Sequence, residues 1–264
     1  MSASQEHERS IVFFDLDGTL LNDAKEINPS TREAIAELQK RGHIVAIATG
    51  RAPFFFEHVR RELNIDTYVS YNGSYVVHEG EVVFTNPLNE DALQKLTDLA
   101  LKNKHAVVYM DHEDMRANVS GNDRVAESIG TLNIGALPKH DPLYYKDRFI
   151  YQSLLFCAEG EEELYEELFG SFDFVRWHPF SLDVLPAGGS KFKGIGRITE
   201  QLGIPPERQY AFGDALNDLE MLEGIPNSVA MGNGLPEAKA AARWTSRSNE
   251  EDGIAYGLKL AGLL

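Results

Sequence analysis

Apolar residues arrive in short continuous runs near the start of the chain and alternate with segments of wider spacing. Ile11–Asp15 is such a run, closing on a carboxylate, and reads as a strand buried on both faces. Pro29–Arg41 places Ile35, Leu38 and neighbouring alanines on one side, which predicts an amphipathic helix. Ser30-Thr31-Arg32-Glu33 matches a capping box at its start, and Gly42 supplies a left-handed stop. His43–Ala48 reads as a second buried strand, Ala52–Asn64 as a helix and Thr67–Tyr71 as a third strand. Asn72-Gly73 and Glu79-Gly80 are turn signals, so Ser74–His78 and Glu81–Thr85 read as a hairpin. A strand-helix-strand-helix-strand opening predicts a right-handed, doubly wound, mostly parallel α/β sheet.

The rhythm changes near Asn86-Pro87. A helix at Glu90–Asn103 and a strand at Ala106–Met110 are followed by a long polar stretch. Beyond it come a strand at Ile150–Cys157, an acidic helix at Glu159–Phe169 and strands near Phe172–Trp177 and Ser181–Leu185. So many strands with two helices predict an inserted α+β domain with an antiparallel sheet. After Pro186 the first rhythm returns. Lys191–Leu202 reads as a helix stopped by Gly203, Gln209–Phe212 as a strand, and Ala215–Leu222 as a helix. Ser228–Met231 is a further strand, and helices near Pro236–Ala242 and Asp252–Leu263 complete the pattern. The expected organisation is a core formed by residues 1–85 and 187–264, interrupted by an inserted domain at 86–186.

The formal net charge of −16 removes the basic footprint that a nucleic acid or an anionic membrane requires. Any anionic ligand must then be attracted by local cations or a metal. Cys157, the only cysteine, allows no intramolecular disulfide and sits in a strand-like run, where a buried thiol is expected over a nucleophile. Met1–Arg9 is polar and acidic, unlike a signal peptide, and no apolar stretch approaches the ~20 residues of a membrane span. These features predict a cytoplasmic protein.

Candidate chemistry lies at the ends of the core strands. The first strand ends in Asp15-Leu16-Asp17-Gly18-Thr19, the second in Thr49-Gly50-Arg51, and a late one in Gly213-Asp214-Ala215-Leu216-Asn217-Asp218. In a parallel sheet these carboxyl ends share one edge, where ligands bind. Asp15, Asp17, Asp214 and Asp218 would crowd together, and two unit charges ~4 Å apart repel by ~4 kcal/mol at an effective dielectric of ~20. A cation relieves this. Hard oxygen ligands facing an anionic substrate favour Mg²⁺.

These segments, with Lys191 opening a later helix, resemble the four motifs of the haloacid dehalogenase superfamily, and their order resembles its Cof-like phosphatases with a type IIB cap between the second and third motifs. The resemblance spans essentially the whole chain. It implies a Rossmann-like core, an inserted α+β cap that closes over it, and Mg²⁺-dependent hydrolysis of small-molecule phosphate esters. It further implies that Asp15 is the nucleophile, forming an aspartyl phosphate. Asp17 would be general acid and then base, with its backbone carbonyl on the metal. Thr49 and backbone amides near Leu16, Asp17 and Gly50 would hold phosphoryl oxygens. Lys191 would neutralise charge on Asp15 and the transferring group. Asp214 would ligate the metal, with Asp218 as a ligand or behind one, and Asn217 would bind phosphate or orient Lys191.

Other residues carry competing readings. Lys193 rivals Lys191, but helical geometry separates them by ~200°, so one at most faces the site, and the spacing from Pro186 to Gly203 favours Lys191. His112-Glu113-Asp114 reads as a solvated loop over a metal cluster, and Glu159–Glu167 as a solvated face. Phe54, Phe55 and Phe56 suit a pocket or the core equally, and Arg51 a substrate anion or an ion pair. An acid at Asp17 suits an alkoxide leaving group, which separates phosphate esters from halides. A phosphomutase and a non-catalytic binder of phosphorylated ligands are the alternatives. Relatives of this type act on sugar phosphates, nucleotides, flavin mononucleotide or pyridoxal phosphate. Specificity is expected from the insert, with Arg116, Asn118, His178 and Asp183 as candidates.

Overall fold

The computed structural model describes residues 9–132 and 134–264. The reading of Met1–Arg9 therefore lies, up to residue 8, outside the described residues. Among the described residues no helix is long and apolar enough to cross a membrane.

In chain order the elements are β1 (Ile11–Phe14), α1 (Pro29–Lys40), β2 (Ile44–Ala48), α2 (Glu57–Leu63), β3 (Tyr68–Ser70), β4 (Tyr75–His78) and β5 (Glu81–Thr85). Next come α3 (Glu90–Asn103), β6 (Ala106–Met110), β7 (Met115–Ala117), α4 (Asp123–Gly130), β8 (Lys139–His140), β9 (Gln152–Phe156), β10 (Phe172–His178) and β11 (Ser181–Pro186). The last are α5 (Lys191–Leu202), β12 (Gln209–Gly213), α6 (Leu219–Gly224), β13 (Asn227–Ala230), α7 (Pro236–Ala241), β14 (Trp244–Thr245) and α8 (Gly253–Leu260). Two compact units result: one holds the described residues up to Arg51, Phe56–Phe84 and Ser190–Leu264, the other Ala52–Phe55 and Thr85–Gly189.

The first unit is a doubly wound sheet of eight strands in the order β14-β13-β12-β1-β2-β3-β4-β5. β1 runs parallel to β2 on one side and β12 on the other, and β4 turns antiparallel to β3. Every residue of β1 is fully buried, as a central strand covered on both faces requires. From β1 the chain moves outward through β2 and β3; from β12 it moves the opposite way through β13 and β14. The strand order thus reverses between β1 and β12, and the crevice at their carboxyl ends is the expected ligand site. Glu79 and Gly80, both at positive φ (49° and 82°), turn the chain from β4 to β5 as an Xaa-Gly turn should.

The second unit is a six-stranded sheet, β10-β11-β9-β6-β7-β8, antiparallel except at β7–β8. Leu93 and Leu96 of α3 pack with Tyr109, Leu155, Phe172 and Val184 of the sheet in its core. Cys157 is buried there, and burial pushes its thiol up to about 11, so it is an inert core residue.

Several local expectations need correction. The helix expected at Ala52–Asn64 is broken: Pro53–Phe55 forms a 3-10 turn, Phe56 leaves the helical region (φ −126°), and α2 begins after it. The break buries the Phe56 ring edge-on against Tyr68, at 5.5 Å between centroids. The capping box at Ser30 is absent. Asn28 is the N-cap and Pro29 the first helical residue, and the Asn28 amide is engaged by Asn22 and the Asn249 carbonyl instead. The polar stretch after β6 contains β7, α4 and β8, with Asn122 capping α4 through the Val125 N–H. The acidic segment forms a 3-10 helix at Glu161–Leu168, and the helix expected from Ala215 starts as a 3-10 turn at Leu216–Asp218. Gly42 does stop α1 in a left-handed conformation (φ 86°).

Candidate active site

Asp15 follows β1 directly, and its N–H still bonds to the Phe212 carbonyl of β12 at 2.9 Å. Its side chain is therefore fixed at the point where the strand order reverses. Lys191, the first residue of α5, enters the same crevice with an exposure of only 1%. Its Nζ donates to Asp15 Oδ1 at 2.5 Å and to Asp218 Oδ1 at 2.7 Å. Lys193 is exposed, as the helical spacing demands. The lysine reaches this depth because α5 lies against the turn at Tyr71–Gly73. A Cβ on Gly73 (φ 99°) would stand 2.1 Å from the Ser190 carbonyl oxygen, so this approach requires glycine.

Asp218 is fully buried and its remaining oxygen accepts the N–H groups of Asp214 (2.9 Å) and Ala215 (3.0 Å). Asp214 receives the Thr19 hydroxyl at 2.9 Å. Carboxylate oxygens of Asp15, Asp214 and Asp218 lie within 4.8 Å of one another, a separation that one small cation can span. Burial pushes the Asp15 carboxyl well above its ordinary value against the pull of Lys191, with Asp218 and Asp214 adding to the upward push. Burial, more than the Asp218 charge, also raises Asp214, to about 6, against the Thr19 hydrogen bond. On Lys191 the two carboxylates overcome desolvation and hold the ammonium protonated, above the usual lysine range. Three acids facing one ammonium are short of positive charge. The donor set therefore fits a hard divalent cation.

Asp17 points elsewhere. Arg51 grips its carboxylate with Nε at 2.6 Å and Nη2 at 2.7 Å, and Lys25 Nζ adds a contact at 2.7 Å. Burial pushes Asp17 upward, but the two cations more than offset it and hold the carboxyl below its usual range. Thr49 is buried, with its Oγ1 accepting the Arg51 N–H at 3.1 Å. Gly50 leaves room beside Asn72, whose amide would stand 3.0 Å from an added Cβ. The Asn217 side-chain amide donates to Asn72 Oδ1 at 3.3 Å. Leu16 is buried, and its carbonyl accepts the Leu21 N–H at 2.8 Å, closing the loop after β1.

Residues 12–258 match the family model of haloacid dehalogenase-like hydrolases. The chain belongs to that family. It is 46% identical over 257 residues to YkrA of Bacillus subtilis (strain 168), provisionally named a phosphatase, covering 97% of this chain and 99% of that one. A solved protein from Geobacillus kaustophilus HTA426 superposes with a TM-score of 0.94 at 50% identity, covering 97% and 100% of the two chains. The subclass IIB sugar phosphatase BT4131 superposes with a TM-score of 0.82 at 27% identity, again over 97% and 100%. With these relatives the haloacid dehalogenase-like chain is a phosphatase of the Cof-like branch.

Within this phosphatase the structure gathers Asp15, Asp214, Asp218 and Lys191 into one cluster and sets the Asp17 carboxylate beside it on Arg51. The cap candidates are engaged inside the second unit. Arg116 pairs with Asp114, Asn118 accepts the Val107 N–H at 2.8 Å, and His178 meets the Ser128 hydroxyl at 2.9 Å. Asp183 accepts the Gln152 amide at 2.8 Å, and burial pushes its carboxyl up to about 7. His112–Asp114 forms a loop closed by N–H groups on Asp111, and Glu161 and Glu162 pair with Arg124 and Arg176. The sequence alone assigned no role to Lys25 or to the Asn72 amide. Asn72 stood there as part of the Asn72-Gly73 turn signal.

Proposed function

We propose that this phosphatase is Mg²⁺-dependent and hydrolyses small phosphorylated metabolites, of the sugar phosphate, nucleotide, flavin mononucleotide or pyridoxal phosphate classes, through phospho-Asp15. The supporting observation is the buried Lys191 ammonium, 2.5 Å from Asp15 Oδ1 and among carboxylates that share a volume of metal-site size. Bound at Asp15, Asp214 and the Asp17 carbonyl, with Asp218 behind or beside them, Mg²⁺ would neutralise charge on the phosphoryl oxygens. An Asp15 oxygen attacks phosphorus in line, and the bond from phosphorus to the ester oxygen breaks. Asp17, protonated, gives its proton to the departing alkoxide. As carboxylate it then takes a proton from water, whose oxygen attacks phosphorus and releases phosphate from Asp15. Arg51 and Lys25 hold Asp17 in the carboxylate state, so its turn as acid requires these contacts to loosen.

Thr49 uses an oxygen lone pair on the Arg51 N–H, which leaves its hydroxyl proton for a phosphoryl oxygen. Backbone amides near Leu16 and Gly50 and the Asn217 amide complete the cradle. Such positioning and charge neutralisation are what phosphoryl transfer asks of a protein. Residues 86–186 are read as the cap that sets specificity, and the lone, buried Cys157 suits the reducing cytoplasm.

The test is a panel of phosphorylated metabolites and an aryl phosphate, each assayed with Mg²⁺ and with chelator. Asp15→Asn should abolish turnover with the fold intact, while Asp17→Asn should lose ~10²–10⁴ in rate, most for poor leaving groups. Turnover that survives in Asp15→Asn sinks the assignment. Binding without turnover in the wild type would support the non-catalytic alternative, and release of an isomeric phosphate ester the mutase.

A further inference from the structure

The outer side of this site carries two cations for one carboxylate. Arg51 and Lys25 both close on Asp17, making three contacts of 2.6 to 2.7 Å. The placement of Lys25 is unusual. It sits at φ +63°, a left-handed conformation that suits glycine or asparagine, inside a turn closed by Lys25 N–H to the Asn22 carbonyl and Asn22 N–H to the Glu26 carbonyl, both 2.9 Å. Bridges from Asp17 to Leu21 and from Leu21 to Ile27 hold this turn against the nucleophile loop. A lysine in this conformation whose ammonium is delivered to Asp17 at 2.7 Å points to a use for that ammonium.

That use is not to hold the transferring phosphoryl group, beside which Lys191 is already buried. Lys25 and Arg51 stand at Asp17, the residue that faces the leaving oxygen in the mechanism above. The Lys25 and Asp17 side chains are 44% and 39% exposed while Arg51 lies deeper, so Lys25 is the cation that faces solvent. In a chain of net charge −16 such a local excess is the feature that can attract an anion. We infer that Lys25, together with Arg51, reads a second negative charge on the leaving group, so that preferred substrates are phosphate monoesters bearing a further carboxylate or phosphate. The inference deepens the phosphatase reading and rests on it.

Matched probes test it: 3-phosphoglycerate against glycerol 3-phosphate, and fructose 1,6-bisphosphate against fructose 6-phosphate. In each pair the wild type should favour the more anionic member by about tenfold in kcat/KM, a difference of about 1.4 kcal/mol. The preference should shrink toward unity in 1 M salt, where the screening length is about 3 Å. Lys25→Met should erase it and Lys25→Arg restore it. A bisphosphate preference alone assigns the second anion to phosphate, and preference in both pairs assigns it to anions generally. No preference in either pair, or an equal loss on all four probes in Lys25→Met, overturns the inference. Should the wild type fail to hydrolyse even an aryl phosphate with Mg²⁺, the phosphatase reading falls instead. Calorimetric affinities for the same pairs then decide the charge preference, and equal affinities refute it.

Discussion

Replacing Asp218 by alanine separates two roles that one buried carboxylate can hold. In the structure it binds Lys191 Nζ at 2.7 Å through one oxygen and two backbone N–H groups at 2.9 and 3.0 Å through the other. Breaking a buried ion pair from one side costs about 3–5 kcal/mol. Lys191 keeps Asp15, which favours the lower end. Each backbone donor left without its acceptor adds about 1–3 kcal/mol. Both lie at a partly buried strand end within reach of water, so about 1 kcal/mol each is the appropriate value. The expected loss is about 5 kcal/mol, large against the usual 5–15 kcal/mol of native stability. At a urea slope of about 2–3 kcal/mol/M the midpoint falls by about 2 M. The assay is urea unfolding in a Trp177→Phe background, where Trp244 of β14 reports the first unit alone. It is run with Mg²⁺ and again with chelator. Removal of a structural carboxylate destabilises the protein equally in both, whereas removal of one that acts only on the metal shows a loss with Mg²⁺ alone. A loss below about 1 kcal/mol in chelator would refute the reasoning.

Two further outcomes follow from single contacts. A methyl group on Gly18 would stand 2.4 Å from Asp214 Oδ2, at φ +77°, so Gly18→Ala should displace Asp214 and raise the Mg²⁺ needed for half-maximal activity by at least about tenfold; an unchanged Mg²⁺ titration contradicts this. Asp183 has its folded-state carboxyl raised to about 7, so the folded protein holds that proton more tightly, and this contribution to stability is present below pH ~4 and lost as pH rises through about 7. Asp183→Asn should remove that slope, worth at most about 4 kcal/mol, and gain on the wild type between pH 4 and pH 8 in urea melts; a stability difference that stays constant across this range counts against it.

The core was legible because buried parallel strands must be written as apolar runs, and because a parallel sheet delivers its loops to one edge. Asp15 and Asp214 stand at such strand ends, so their convergence could be inferred from order alone. Helical spacing allowed only one of Lys191 and Lys193 to face inward, the distance from Pro186 to Gly203 favoured Lys191, and Lys191 is the buried one. Lys25 was invisible for a physical reason: a lysine in a polar turn has the same local appearance whether it contacts water or Asp17. Only the left-handed backbone and the bridges to Leu21 direct it. The contact between the Asn72 and Asn217 amides was hidden similarly, since Asn-Gly is a sufficient explanation of a turn. Helix α4 escaped because Val125 and Ile129 are nearly its only apolar positions, leaving the Asn122 cap as the remaining signal. Phe56 shows the converse, a run suited to continuous helix that tertiary packing breaks to bury one ring.

The pairing of β1 with β12 has a consequence for how the protein is made. β1 is fully apolar and central, yet one of its two edges is completed by a strand synthesised roughly 200 residues later, on the order of 10–40 s at about 5–20 residues per second. During that interval a nascent chain that has folded β1 onto β2 still presents an unpaired hydrophobic edge, the feature most prone to join another chain. Asp15 is likewise without Lys191 and Asp214 until the final third of the chain emerges. Truncated chains therefore carry Asp15 without the groups that surround it in the folded protein, and their yield depends on whatever shields that edge before β12 arrives.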